Sequence, residues 1–267
     1  MAEPNAVAAG APSPGGPALF EYLQRLGDDR LVLGHRLSEW CGHGPILEED
    51  IALANVALDL LGQATMFLRR AGEVEGKGRD EDALAYFREA VEFRNCLLVE
   101  QPNGDFGFTI ARQFLFDVHA VVTLDVLSRS KNAKIAALAA KSLKEAKYHV
   151  RHSGEWMLKL GDGTDESHRR VQRALDELWR FTPELFVADG VAARLAVQGI
   201  APDLPALRAQ WETIVRDVVD RATLTVPHES MHSPHLRGGR SGMHSEHLGH
   251  MLAEMQIVAR SHPGAKW

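Results

Sequence analysis

The run from residue 51 to residue 68 constrains this chain most: it is apolar enough to resemble a membrane span, yet it carries Asn55, Asp59 and Gln63 at four-residue intervals. Polar side chains one helical turn apart form a narrow stripe on an otherwise apolar helix. In hydrocarbon such groups are costly, so the stripe places the helix inside a soluble bundle whose other helices supply hydrogen bonds. Elsewhere apolar residues recur at three and four, and no segment alternates with period two between hairpin turns. The chain reads as all-α.

Helix boundaries follow from caps and breakers. A short helix is expected over about 18–26 and another over about 28–41, ended by Gly42, Gly44 and Pro45. Four long helices follow, over about 45–71, 80–99, 105–129 and 132–160. Gly76 and Gly78 lie beyond the end of the first, and a Gln101-Pro102-Asn103-Gly104 turn precedes the third. Short connections predict an up-and-down four-helix bundle. Residues 162–267 add further helices, the clearest over about 165–181, 205–224 and 245–261, with a Pro-, His- and Gly-rich loop at 226–242. No linker divides the chain. It is expected to be one domain over 18–267, with a bundle core at about 45–160 and a helical extension at about 162–267.

The polar residues on faces that should be buried carry the functional information, because an unpartnered interior carboxylate is costly. Asp59 lies among Leu58, Leu60 and Leu61, and Asp117 lies among Phe114, Ala120 and Val121. The expected 80–99 helix presents Glu92 and Asn95 three apart, and the 132–160 helix presents Ala146 and His149 at the same spacing. Thirty-three positions separate Asp59 from Glu92 and thirty-two separate Asp117 from His149, so each helix pair sets a carboxylate opposite an i, i+3 pair. Di-iron carboxylate bundles build their site this way, with a carboxylate on each of two helices and Glu-x-x-His on the other two. Here both Glu-x-x-His pairs are broken, as Glu92-x-x-Asn95 and Ala146-x-x-His149. An amide is a feeble iron ligand and alanine is none. Two readings stand: an internal hydrogen-bond and ion-pair network with His149 partnering Asp59 or Asp117, or a weakened or single-metal site.

A formal charge of −6 with a pI near 6.1 argues against nucleic acid as a partner, because phosphate binding needs clustered positive charge. Cys41 and Cys96, far apart and outside any C-x-x-C pair, read as two reduced thiols in the core. Residues 1–17, rich in Ala, Pro and Gly, lack the basic region and apolar run of a signal peptide. They read as a floppy tail on a cytoplasmic chain with no membrane partner.

Beyond these patterns, LGHRLSEWC (33–41) and ALANVALDLLGQA (52–64) resemble the C-type, structural subunits of ring-1,2-phenylacetyl-coenzyme A epoxidases. The likeness continues in LLVEQPNG (97–104), KEAKYH (144–149), LWRFT (178–182) and HLGHMLAEMQ (247–256), and covers residues 20–267. The resemblance implies a ferritin-like four-helix bundle with additional C-terminal helices, in a bacterial multicomponent monooxygenase of phenylacetate breakdown. It implies a homologous catalytic subunit that holds the di-iron centre and a separate reductase supplying electrons from NADPH through flavin and iron–sulfur groups. One oxygen atom of O2 would enter the ring of a phenylacetyl-coenzyme A thioester lying near the subunit interface. In this chain the resemblance implies no cofactor, no metal and no catalytic residue, with Asp59, Glu92, Asn95, Asp117, Ala146 and His149 as vestigial di-iron positions.

Other clusters carry less. Six histidines lie between His228 and His250, and His244, His247 and His250 recur at three-residue spacing around Glu246; they read as a contact between subunits or a solvated loop before a metal site. Arg237 and Arg240 flank two glycines in a loop suited to coenzyme A phosphates, a reading that leans on the resemblance. Lys141, Lys144, Lys147 and Arg151 form a basic helix edge, solvated or docking an acidic partner. The rival readings are a self-sufficient ferritin-like oxidase with an atypical site at Asp59, Glu92, Asp117 and His149, and a free-standing acyl-coenzyme A module.

Overall fold

The structure, a computed structural model, describes residues 16–228 and 237–265. The tail expected at 1–17 therefore lies outside the described residues, except for Gly16 and Pro17, which open the first helix. Four long helices form the bundle: α1 (Gly16–Ser38), α2 (Leu47–Glu75), α5 (Phe106–Leu127) and α6 (Ala133–Gly161). Between them lie two short helices, α3 (Glu81–Tyr86) and α4 (Leu97–Glu100). No strand occurs among the described residues, and the ferritin-like all-α fold stands.

Two sequence expectations are corrected here. The two short N-terminal helices are one, α1, which runs through Gly27 and packs antiparallel on α2. Gly27 is required by closeness: a Cβ there would lie 2.7 Å from Leu68 Cδ2. The long helix expected over 80–99 is instead α3, a 3-10 turn at Ala90–Glu92, an extended stretch and α4. The extended stretch frees backbone N–H groups, so that Arg94 N–H and Cys96 N–H donate to Asp28 and Asp29 of α1, each at 2.8 Å. In a helix those donors would be consumed internally. α1 thus takes the bundle place expected for 80–99.

The topology also departs from up-and-down. Gln63 with Glu145 and Asp59 with His149 set α2 antiparallel to α6. Trp40 with Thr109, and Asp29 and His119 facing one cavity, set α1 antiparallel to α5. α2 and α5 are then parallel, joined by the crossover 76–105 rather than a tight turn, the connectivity of ferritin-like bundles.

Caps fix where the later helices start. Asp105 accepts from Phe108 N–H at 2.9 Å and Asn132 from Ile135 N–H at 3.2 Å. α7 (Asp165–Leu178) opens on a Thr164–Ser167 capping box and runs into a 3-10 segment, Trp179–Phe186. Then come α8 (Gly190–Val197), α9 (Leu204–Arg221) and α10 (Glu246–Ser261). α7 and α9 cover α5 and α6, and the buried Trp211 of α9 donates from its indole to Leu115 O at 3.0 Å. One apolar core runs from α1 to α10 and holds Cys96, whereas Cys41, expected there too, is exposed in the turn after α1.

Candidate metal centre

The six positions expected to echo a di-iron site do not converge. Glu92 is exposed at the end of the 3-10 turn, where its carboxylate accepts from Glu89 N–H at 2.8 Å. Asn95 is buried outside the bundle axis and donates to Glu100 Oε2 at 3.0 Å and to Cys96 O at 3.1 Å. Both left the site when the 80–99 helix gave way to the crossover, so their placement in one interior pocket is corrected. The remaining four stay on α2, α5 and α6.

There, Asp59 and His149 form one pair, with Nε2 of His149 3.0 Å from Asp59 Oδ2. Burial holds the His149 pKa below its ordinary value, so the ring is neutral at pH 7 and presents Nε2–H to the carboxylate. The side chain of Asp59 is 40% exposed, so the pair sits on the α2–α6 seam rather than at the bundle centre. Asp117 is separate. Gln113 donates to its Oδ1 at 2.6 Å and Ser153 to its Oδ2 at 2.8 Å, and burial pushes its pKa up to about 8. It is therefore held mainly neutral at pH 7, with both of its oxygens engaged by neighbours on α5 and α6. Ala146 is buried and supplies no donor.

Sequence reasoning missed a polar belt through α1. Arg30, almost fully buried, donates from Nε to Gln63 Oε1 at 2.7 Å and from Nη1 to Leu26 O at 2.9 Å, and its guanidinium lies 5.0 Å from the Phe67 ring centre. Burial lowers its pKa to about 10, which leaves it charged at pH 7. Gln63 passes the contact on to Glu145 Oε2 at 2.8 Å. Arg30–Gln63–Glu145 thus bridges α1, α2 and α6 where a metal bundle would need carboxylates. The signal was present in Gln63, but its partner is 33 residues away and shows no spacing rule.

Two further carboxylates of α1 hold the crossover and C-terminal loop. Asp28 and Arg88, both almost fully buried, form a two-pronged ion pair. Asp29 receives Arg240 Nη1 and Nη2, each at 2.8 Å. Arg240 also donates to Arg94 O at 2.8 Å. The phosphate-gripping role expected of Arg240 is corrected accordingly, because its fork is taken by Asp29; Arg237 is exposed. Glu184 accepts from Leu97 N–H and Gly239 N–H, at 2.6 and 2.8 Å, and fastens the same loop.

The histidine cluster is dispersed. His244 lies against Glu100 Oε2 and Phe93 O, at 2.9 and 3.1 Å, whereas His250 is exposed. His232 and His235 lie outside the described residues. Among the described residues no set of three or more His, Cys, Asp or Glu side chains is placed to hold a metal ion. The di-iron centre of catalytic ferritin-like oxygenases does not fit the side chains present: one slot is alanine, one carboxyl is engaged on both oxygens by Gln113 and Ser153, and two positions lie off the bundle.

The family described as "Phenylacetic acid catabolic protein" matches residues 8–267. The C-type subunit of 1,2-phenylacetyl-CoA epoxidase from Escherichia coli (strain K12) is 51% identical over 249 residues, covering 93% of this chain and 99% of that protein. A match over nearly the whole length, on an all-α bundle of this connectivity, establishes that the chain belongs to the phenylacetic acid catabolic protein family.

Proposed function

We propose that this chain is the non-catalytic structural subunit of a bacterial, cytoplasmic phenylacetyl-coenzyme A epoxidase, pairing with and stabilising a homologous di-iron subunit that performs the O2 chemistry. The relative's name places it in a complex of several subunits, and the family match supports the same setting here. The observation that carries the non-catalytic role is the polar interior. Ala146 occupies one ligand slot, Asp117 accepts from Gln113 and Ser153 while burial pushes its pKa up to about 8, and His149 is engaged by Asp59. These groups satisfy one another and tie helices together, which suits a rigid scaffold. The NADPH-fed reductase belongs to another polypeptide in this reading.

The test is turnover in a reconstituted complex of this chain, the di-iron subunit and the reductase. Asp59→Asn keeps the side chain's shape and its contact with the imidazole while removing the carboxylate. The complex carrying it is expected to epoxidise phenylacetyl-coenzyme A at the unmodified rate. A loss of kcat of about 100-fold or more, in a variant that still assembles, is the size seen when a group acting in the chemistry is removed and would assign the reaction to this chain.

A further inference from the structure

α2 combines two properties that conflict in a lone chain. It is the one described helix long and apolar enough, by length and composition, to span a membrane, yet only 44% of its most apolar 18-residue stretch is buried. The exposed side chains are not scattered: Leu47, Ile51 and Leu58 repeat at four and seven residues and so share one face. Leu47 is 72% exposed and Leu58 67%. Tyr148 of α6 is also exposed, one position from the His149 that contacts Asp59 at the edge of this face. An ordered apolar stripe in water marks a contact surface.

Charge beside the stripe specifies the occupant. The basic edge of α6 includes Lys141, Lys144 and Arg151, all exposed, and among the described residues none of the three forms a salt bridge. Several arginines on other surface helices are matched one turn away, such as Arg70 with Glu73, Arg129 with Asp125, Arg170 with Glu166 and Arg221 with Asp217, whereas Arg151 lies over the Tyr148 ring, 5.3 Å from its centre. On a chain of net charge −6, an edge that exposes Lys141, Lys144, Lys147 and Arg151 against the single exposed carboxylate of Glu155 on α6 is a local excess of positive charge beside bare leucine and isoleucine, which suits acidic groups from outside. Lipid is disfavoured because Asn55 interrupts the stripe, Asp59 edges it, and the opposite side of α2 is packed along α1.

We infer that the outer α2–α6 face is the docking surface for another polypeptide of the same epoxidase, which meets it with an apolar helix face bordered by Asp and Glu. This rests on the proposed function and adds the surface and its chemistry. It also gives the Asp59–His149 pair a place: it buttresses the seam on which the partner sits.

The experiment co-expresses the di-iron subunit with the unmodified chain, Leu58→Asp, Lys144→Glu, and a control, Ile257→Asp, on exposed α10, and measures affinity by calorimetry. Leu58→Asp is expected to weaken binding roughly 100-fold or more by burying an unpaired carboxylate at an apolar contact. Lys144→Glu should weaken it most at low salt, because its contribution is screened, and Ile257→Asp should leave it unchanged. Thermal melts of the isolated variants at the unmodified temperature establish folding. Unmodified affinity for Leu58→Asp overturns the inference. So does a homodimer of the isolated chain dispersed by Leu58→Asp while partner binding persists, or flotation with phosphatidylserine vesicles abolished by the same change. Failure of the unmodified chain to bind the di-iron subunit instead overturns the proposed function.

Discussion

Asp117 permits the sharpest prediction. It is 1% exposed, accepts from Gln113 and Ser153, and titrates near pH 8 in the fold against an ordinary 3.8, with burial as the cause. Below the ordinary value both folded and unfolded chains hold the proton, and the favourable burial of a neutral carboxyl is fully present. Between about pH 4 and pH 8 the unfolded chain releases the proton while the folded chain keeps it, so stability falls as pH rises. The slope is about 1.4 kcal/mol per pH unit, or on the order of 4 kcal/mol between pH 5 and pH 8. Asp117→Asn removes the titration and keeps the shape: its oxygen still accepts from Gln113, and its amide can donate to Ser153 Oγ. Urea unfolding of both proteins at pH 5, 6, 7 and 8 is the assay. The variant should gain stability relative to the parent by roughly 1 kcal/mol or slightly more at each step, least between pH 7 and pH 8, where the folded carboxyl begins to ionise. Parallel profiles would refute the reasoning, since they would mean that the carboxylate is buried without having to keep its proton.

His119 titrates in the opposite sense. Burial lowers its pKa to about 4, so the neutral ring's contribution is lost as pH falls from about 6.5 towards 4; His119→Phe, which keeps the ring contact with Phe186, should flatten that slope by up to roughly 3 kcal/mol in acid unfolding curves. Arg88→Met strips Asp28, 0% exposed, of its ion-pair partner and should cost about 3–5 kcal/mol in denaturant unfolding. A loss below about 1 kcal/mol would show that the backbone donor from Arg94 suffices.

The sequence disclosed the elements whose apolar period is unbroken. α2, α5, α6 and α10 lie within a few residues of where Asp105, Asn132, Ser245 and the glycines after α2 place them. It misled where polar residues are buried. α1 reads as two fragments because Arg25, Asp28, Asp29 and Arg30 crowd around Gly27, and its buried charges find partners at Asp189, Arg88, Arg240 and Gln63, 33 to 211 positions away. Residues 80–99 carry a helical period, but the carboxylates of α1 bind the backbone N–H groups of Arg94 and Cys96 and hold the segment open. Long-range pairing of this kind leaves no local pattern. The same cause misplaced Glu92 and Asn95, whose i, i+3 spacing has meaning only on a helix, whereas the departure from Glu-x-x-His at Ala146 was legible from the spacing before His149 on an unbroken helix.

The most direct test of the central claim is the iron content of this chain, purified apart from its companion, exposed anaerobically to excess ferrous ion and then desalted. The account predicts that no stoichiometric iron is retained and that His149→Ala changes nothing in the amount left. One or two irons per chain, lost on replacing His149 or Asp117, would contradict it.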